Sequence, residues 1–348
     1  MEAPTERLEA IVQKMAGTEG PLRISPMPGG ASTREFFRVE LPSGERAVAM
    51  FVPDANRSDE IDKSNGKRTV WPFLEVRALL QERGVRVPRL LGEACHEGLI
   101  LVEDLGDDTL ANYLQQHPEQ RKALYQSAVR DLAEAQRVLD PLPTDSVVRS
   151  RAFDEDLLRW EVDHFREWAL EARGTHLTAA QAQTFAEARD YLAATIASWP
   201  RHFVHRDYQS RNLMVRAGTK QPELVWIDFQ DALLGPRVYD LVALLSDSYQ
   251  AFTRGFVEER LDEFAAHAKL DASGRARVGR EFDMVTVQRK LKDAGRFVFI
   301  EKKRNNPHFL PFVSPTIEKV REALTRLSDI PELASLAEVL DARCPSAS

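Results

Sequence analysis

A chain of 348 residues, 43% of them hydrophobic, is long enough for two lobes with real cores, which excludes a disordered or low-complexity protein. Its 47 Lys and Arg against 54 Asp and Glu leave a formal charge of -7, which argues against a broad basic surface for nucleic acid and points to a small ligand. Cys95 and Cys344 stand too far apart for a disulfide framework, the N-terminus is acidic where a signal peptide is basic, and no apolar run approaches membrane-spanning length; a cytoplasmic protein with no membrane association is expected.

In chain order, Leu8, Ile11, Val12 and Met15 fall at helical spacing and predict a short amphipathic helix ending at Gly17. The stretch PMPGGASTREFFRVEL then sets a Gly-Gly turn ahead of Phe37, Val39 and Leu41 at period two, and PSGE predicts a hairpin turn into a second strand, RAVAMFV. Residues 53–69 read as a polar loop, after which Phe73, Leu74 and Leu80 restore helical spacing as far as Gly84. VRVPRLLGE and LILVEDLG read as two more strands, the second closing in Glu103, Asp104, Leu105 and Gly106, where a hinge could offer backbone groups to an adenine edge. From Thr109 to Trp199 the pattern is helical almost throughout. It is mostly helical again beyond Asp231, where Gly235 and Pro236 break the chain before YDLVALL, a helix apolar on more than one face and so expected to be buried.

The chemistry is concentrated in HRDYQSRNLMVRAGTKQPELVWIDFQD, residues 205–231. Asp207 is followed five residues later by Asn212, and Asp228 ends the apolar run Leu224, Val225, Trp226, Ile227. In the phosphoryl-transfer template an Asp orients and deprotonates the acceptor hydroxyl, an Asn five residues on holds a metal ion, and an Asp after a later strand holds Mg²⁺ between nucleotide phosphates. Asp, Asn and Asp at strand ends and in loops are also ordinary turn residues, but the matched spacing favours the catalytic account. His205 is expected to brace the loop; Arg206 and Arg211 either meet phosphate or a substrate carboxylate or pair with Asp231 or Asp240.

These residues resemble the aminoglycoside phosphotransferase-like kinases, a small-molecule branch of the protein-kinase-like fold. ASTREFFRV, LILVEDLGDDTLANYL, FDEDLLRWEVDHFREW and VQRKLKDAGRF are similar, more closely, to the anomeric N-acetylmuramate/N-acetylglucosamine kinases of bacterial cell-wall recycling. The resemblance implies an α+β, bilobal fold: a strand-rich nucleotide-binding lobe over residues 1–104 and a larger, mainly helical catalytic and substrate-binding lobe over residues 105–348. It implies ATP and Mg²⁺ as cofactors, Asp207 as base and Asn212 and Asp228 as metal ligands. Ser32, Met50, Glu103 and Leu105, with Asn212 and Asp228, form the candidate nucleotide contacts, and Asp240 ties the helical lobe to the catalytic loop.

An amino-sugar acceptor is expected to meet Asp207, Arg211 and Glu161, the last on a predicted helix with Asp163, His164 and Trp168, since a sugar takes aromatic faces for its C–H surface and carboxylates for its hydroxyls. A solvated amphipathic helix carrying Trp160 or Trp168 into the core is the simpler account of the same segment. One departure stands out: where related kinases place a phosphate-binding Lys on a small-lobe strand, AVAMFV offers Met50, leaving Arg34, Arg38, Lys63, Lys67 and Arg68 as candidate cations. The expected function is an ATP-dependent kinase for the anomeric hydroxyl of N-acetylmuramate and/or N-acetylglucosamine. A kinase for an aminoglycoside or another small hydroxylated molecule, and a non-catalytic nucleotide-binding regulator, are the alternatives.

Overall fold

A computed structural model of the chain describes residues 4–17, 20–27, 34–52, 71–216 and 222–344. The chain opens with helix α1 (Pro4–Ala16) and runs through strands β1 (Arg23–Pro26), β2 (Glu35–Glu40) and β3 (Arg46–Phe51), helix α2 (Pro72–Glu82), strands β4 (Leu90–Ala94) and β5 (Leu99–Glu103), and helix α3 (Leu110–Gln116). Helices α4 (Arg121–Val138), α5 (Glu155–His164) and α6 (Ala179–Ala197) follow, then β6 (Arg201–Val204), β7 (Leu213–Arg216), β8 (Glu223–Trp226) and β9 (Leu233–Pro236). The remainder is helical: α7 (Tyr239–Leu245), α8 (Arg254–His267), α9 (Ala272–Arg304), α10 (Val313–Arg326) and α11 (Pro331–Arg343). Two compact units result. One comprises Met1–Pro118 with Arg211–Asp231, the other Glu119–Ser210 with Ala232–Ser348. The sequence-drawn boundary after residue 104 therefore differs from this division: residues 105–118 and the β7–β8 hairpin belong to the first unit.

The first unit is built on a five-stranded antiparallel sheet in the order β1-β2-β3-β5-β4. Because successive side chains of a strand point to opposite faces, β2 and β3 serve two environments. Phe37, Val39, Ala47, Ala49 and Phe51 join Leu8, Ile11 and Val12 of α1 in a buried core. Their alternates Phe36, Val48 and Met50 line a cleft on the other face. Gly17 and Gly84, expected as helix stops, stand just beyond α1 and α2 at φ +62° and +80°, a conformation that L side chains avoid. The PSGE turn closes the β2–β3 hairpin with Gly44 N–H donating to the Leu41 carbonyl at 2.8 Å. Strand β1, too short and polar to show a clear period, escaped the sequence reading.

In the second unit, α5 continues without a break into a turn of π-helix at Phe165–Leu170, and both pack on the 33-residue helix α9. Every residue of α7 is buried, as its all-round apolar pattern demands. Gly235 and Pro236 do not simply break the chain: they end strand β9, which pairs antiparallel with β6 through His202↔Gly235 and Val204↔Leu233. Close packing leaves only Gly at position 235, where a Cβ would lie 2.7 Å from the Phe153 ring. Among the described residues no helix is long and apolar enough to cross a membrane.

Candidate active site

The β7–β8 hairpin explains why Asn212 and Asp228, 16 residues apart, act together. Its register sets Leu213 opposite Trp226, so the residue before β7 and those after β8 emerge at the same end. Ile227 N–H donates to the Asn212 carbonyl at 3.1 Å, and Asn212 Nδ2 reaches Asp228 Oδ2 at 3.3 Å. Phe229, the next residue, is fully buried and stacks on Phe73 of α2 with ring centroids 5.0 Å apart, while Gln230 Nε2 donates to Asp228 Oδ1 at 2.9 Å. Asp228 itself holds φ +63°, in the sparsely populated left-handed region that Asp tolerates better than most residues.

Asn212 and Asp228 sit at the rim of a cleft of about 480 Å³ formed within the first unit. Its apolar wall comes from Phe36, Val48, Met50 and Val102 of the sheet, and Leu105, Gly106, Arg211 and Met214 line it as well. That is an apolar slot edged by oxygen ligands, the form a purine nucleotide requires. Met50 is buried, paired between Phe36 and Ile100. The cation beside it is Arg34: its Nη1 lies 4.0 Å from the Met50 sulfur and its Nη2 3.7 Å from Asp228 Oδ1, with the side chain only 9% exposed. Arg38 is committed elsewhere, to Asp104 at 2.8 Å and Asp107 at 3.0 Å. Glu103 lines the cleft, but its carboxylate takes two hydrogen bonds from Arg86 and one from the Arg89 N–H. Ser32, Lys63, Lys67 and Arg68 lie outside the described residues.

Asp207 belongs to the second unit, on a loop held from both sides. Buried Asp240 of α7 accepts the N–H groups of His205 at 2.7 Å and Arg206 at 3.0 Å, while Arg289 of α9 donates to the Arg206 carbonyl at 2.7 Å. Arg206 is thereby kept at φ +80°, a conformation costing on the order of 1–3 kcal/mol that persists only where surrounding contacts over-determine it. The same Arg289 guanidinium, fully buried and lying over the Tyr239 ring, reaches Asp207 Oδ1 at 3.3 Å. Burial alone would raise the pKa of Asp207, but Arg289, Lys292 and Arg206 outweigh it and hold the carboxyl below its ordinary range. Asp240, burial being the largest influence, is pushed up to about 7 despite its N–H donors. His205 is fully buried edge-on to Tyr208, whose hydroxyl donates to the Ala128 carbonyl at 2.9 Å.

The α5 residues separate by face. Glu161 is fully buried: its Oε2 accepts from Gln288 at 2.8 Å and from the Tyr239 hydroxyl at 3.4 Å, and its Oε1 stands 3.7 Å from Arg206 Nη2. It therefore lies behind the loop that carries Asp207, out of contact with solvent, among side chains that already engage its carboxylate. Asp163 points to Arg189 of α6 at 2.9 Å. Neither tryptophan enters the core, since Trp160 is 56% exposed and Trp168 partly so. Arg289, which sequence reasoning left without a role, lay in the quoted run VQRKLKDAGRF; that run's density of cations was the available signal.

A family model described as "Phosphotransferase enzyme family" matches residues 23–278. The chain belongs to that phosphotransferase family. Along nearly its whole length it is similar to an N-acetylmuramate/N-acetylglucosamine kinase of Pseudomonas aeruginosa, 30% identical with 95% of this chain and 92% of that protein covered. A protein of the same name from Neisseria meningitidis serogroup B is also 30% identical, with 88% and 87% covered. Among solved structures it resembles the GDP complex of aminoglycoside 2'-phosphotransferase-IIIa, with TM-score 0.62, 13% identity and 93% and 100% of the two chains covered. It also resembles choline kinase from Cryptosporidium parvum Iowa II, with TM-score 0.60, 10% identity, and 96% and 99% covered. The fold is thus protein-kinase-like, and this family member is a phosphotransferase acting on a hydroxyl group.

Proposed function

We propose that this phosphotransferase is an ATP-dependent cytoplasmic kinase that phosphorylates the anomeric hydroxyl of N-acetylmuramate and/or N-acetylglucosamine in cell-wall recycling. The observation that carries the reading is the ionised Asp207 clamped by Arg289 on a strained loop, in a chain whose end-to-end relatives bear that name. Nucleotide binding is assigned to the first unit, with Met50 and Leu105 against the base or ribose and Arg34 as the cation that meets phosphate in place of a lysine. Acceptor binding is assigned to the second.

The donor set fits a hard cation. Mg²⁺ takes oxygen ligands, commonly one or two protein groups with the rest from phosphates and water, and Asn212 and Asp228 bring a carboxamide and a carboxylate to one point, Asp228 being 42% exposed at the cleft. When bound, Mg²⁺ would neutralise charge on the nucleotide phosphates. Asp207 accepts the proton of the anomeric hydroxyl as that oxygen bonds to the γ-phosphorus. The bond from this phosphorus to the β–γ bridging oxygen breaks, and its electron pair leaves with ADP. Arg289 keeps Asp207 unprotonated until that moment and, through the Arg206 carbonyl, fixes where the carboxylate points. Glu161 steadies Arg206 and Tyr239 from below.

Measuring ADP formation against a panel of amino sugars, aminoglycosides and choline-like alcohols tests the assignment. Turnover with N-acetylmuramate or N-acetylglucosamine well above the rest is expected. Turnover confined to another acceptor would replace the substrate, and nucleotide binding without turnover on any acceptor would leave a regulator.

A further inference from the structure

Helix α9 presents Arg289, Lys292, Arg296, Phe299 and Lys303 at helical spacing toward one side. The helix comes unusually near α5 there. A Cβ at Gly295 would lie 2.4 Å from the His164 carbonyl oxygen and 2.9 Å from the Phe165 nitrogen, so only glycine permits the approach. The contact brings Lys292 and Arg296 beside a wall of rings. Phe299 meets His164 at 5.5 Å and Trp168 at 4.9 Å between centroids, Arg296 lies 4.8 Å from the Phe299 ring centre, and exposed Trp160 extends the wall past His164.

Arg296 differs from its neighbours on α9 in its carboxylate partners. Asp207 takes Arg289, and Asp293 is shared by Lys290 at 2.9 Å, Lys292 at 3.2 Å and, more distantly, Arg289 at 3.9 Å. Among the described residues no carboxylate stands within ion-pair distance of Arg296, although it is partly buried. A partly desolvated guanidinium without a close carboxylate is stabilised by a ligand that brings the opposite charge. Burial, then the positive charge of Arg296 and Lys292, lowers the pKa of His164 to about 4, so that ring is neutral and adds no cation.

We propose that Lys292 and Arg296 bind the carboxylate of an anionic acceptor whose sugar ring lies on Trp168 and Phe299, making N-acetylmuramate rather than N-acetylglucosamine the preferred substrate. This rests on the proposed sugar-kinase function. N-acetylmuramate is N-acetylglucosamine bearing a lactyl ether that ends in a carboxylate, so the two sugars differ by the group these cations are placed to read. A guanidinium and an ammonium match a carboxylate through charge-assisted hydrogen bonds. A polycationic aminoglycoside would be repelled at the same place.

The test compares kcat/KM for N-acetylmuramate, its neutral methyl ester and N-acetylglucosamine in wild type, Lys292→Gln and Arg296→Gln. Wild type should favour the acid over the ester by about tenfold or more, and each variant should shrink that ratio by a similar factor, in line with loss of a charge-assisted bond. Calorimetric binding of acid against ester to wild type alone gives the same comparison should a variant fold poorly. Equal losses for all three sugars, or a loss seen in the KM for ATP, would mean the cations serve phosphate or structure and would overturn the proposal while leaving the kinase assignment intact. Turnover of none of the three sugars would overturn the kinase assignment and this inference with it.

Discussion

At the scale of single residues, two arginines carry most of the argument. Arg34 is proposed to take up the charge that a small-lobe lysine supplies elsewhere, since among the described residues it lies against both Met50 and Asp228. Arg34→Gln is expected to raise the KM for ATP by about tenfold or more, because a phosphate partner removed from a partly desolvated site leaves charge uncompensated. Arg38→Gln should leave that KM near wild type, its guanidinium being occupied by Asp104 and Asp107. Equal effects would refute the assignment. Met50→Leu, a volume-conserving swap, should keep activity within roughly tenfold. Arg289 sets the protonation of Asp207. With the carboxyl held below its ordinary value of 3.8, the acid limb of kcat/KM should lie below that pH in wild type. Arg289→Gln removes the cation but not the burial, so the Asp207 pKa rises and the acid limb moves to higher pH, whereas Arg289→Lys should restore part of the shift. An unmoved limb in the Gln variant would show that Asp207 is not the group titrating.

At the scale of elements, the contact of α9 with α5 underlies the proposed acceptor side, and Gly295 permits a close approach there. Gly295→Ala should gain about 1 kcal/mol of helix propensity, but the added methyl meets backbone atoms of His164 and Phe165, which cannot rotate aside. Overpacking of this kind costs about 1–3 kcal/mol, so a net loss of stability is expected, together with a weaker acceptor KM, as a denaturant midpoint and steady-state kinetics would show. A midpoint at or above that of wild type would mean the helices separate freely. How much of this was legible differs by element. The helix stops at Gly17 and Gly84 and the hairpin at Gly44 follow from local chemistry and were readable. Strand β9 was not, because Gly235 and Pro236 break secondary structure by local rules and become strand-competent only through pairing with β6 and packing on Phe153.

At the scale of the whole molecule, the proposed function divides the chemistry between the two units, and mutational effects should divide likewise. Asp228→Ala, in the first unit, should abolish both Mg²⁺-supported nucleotide binding and turnover, since Asn212 alone is a neutral and weak ligand. Asp207→Asn, in the second, should lower turnover by a factor on the order of 10² to 10⁴ while calorimetry finds Mg-ATP affinity largely kept, because only the transition state loses an interaction. Matched losses of nucleotide affinity in both variants would contradict the division.

The sequence by itself determined which chemistry this protein carries. The spacing of Asp207, Asn212 and Asp228 is a local property, set by one loop and one hairpin within 22 residues, and the period-two strands and 3.6-period helices around it depend on side-chain patterns that need no distant partner. The tertiary structure alone decided which distant groups those residues meet. Arg289 reaches Asp207 across 82 positions and Gln288 reaches Glu161 across 127, pairings that arise only when α9 is laid against α5 and the catalytic loop. The burial of Glu161, the approach of Arg34 rather than Arg38 to Met50 and Asp228, and the nearness of Arg296 to the ring wall have the same origin. Periodicity tells which face of a helix is apolar, but charge compensation depends on what the opposite face of another element brings to it.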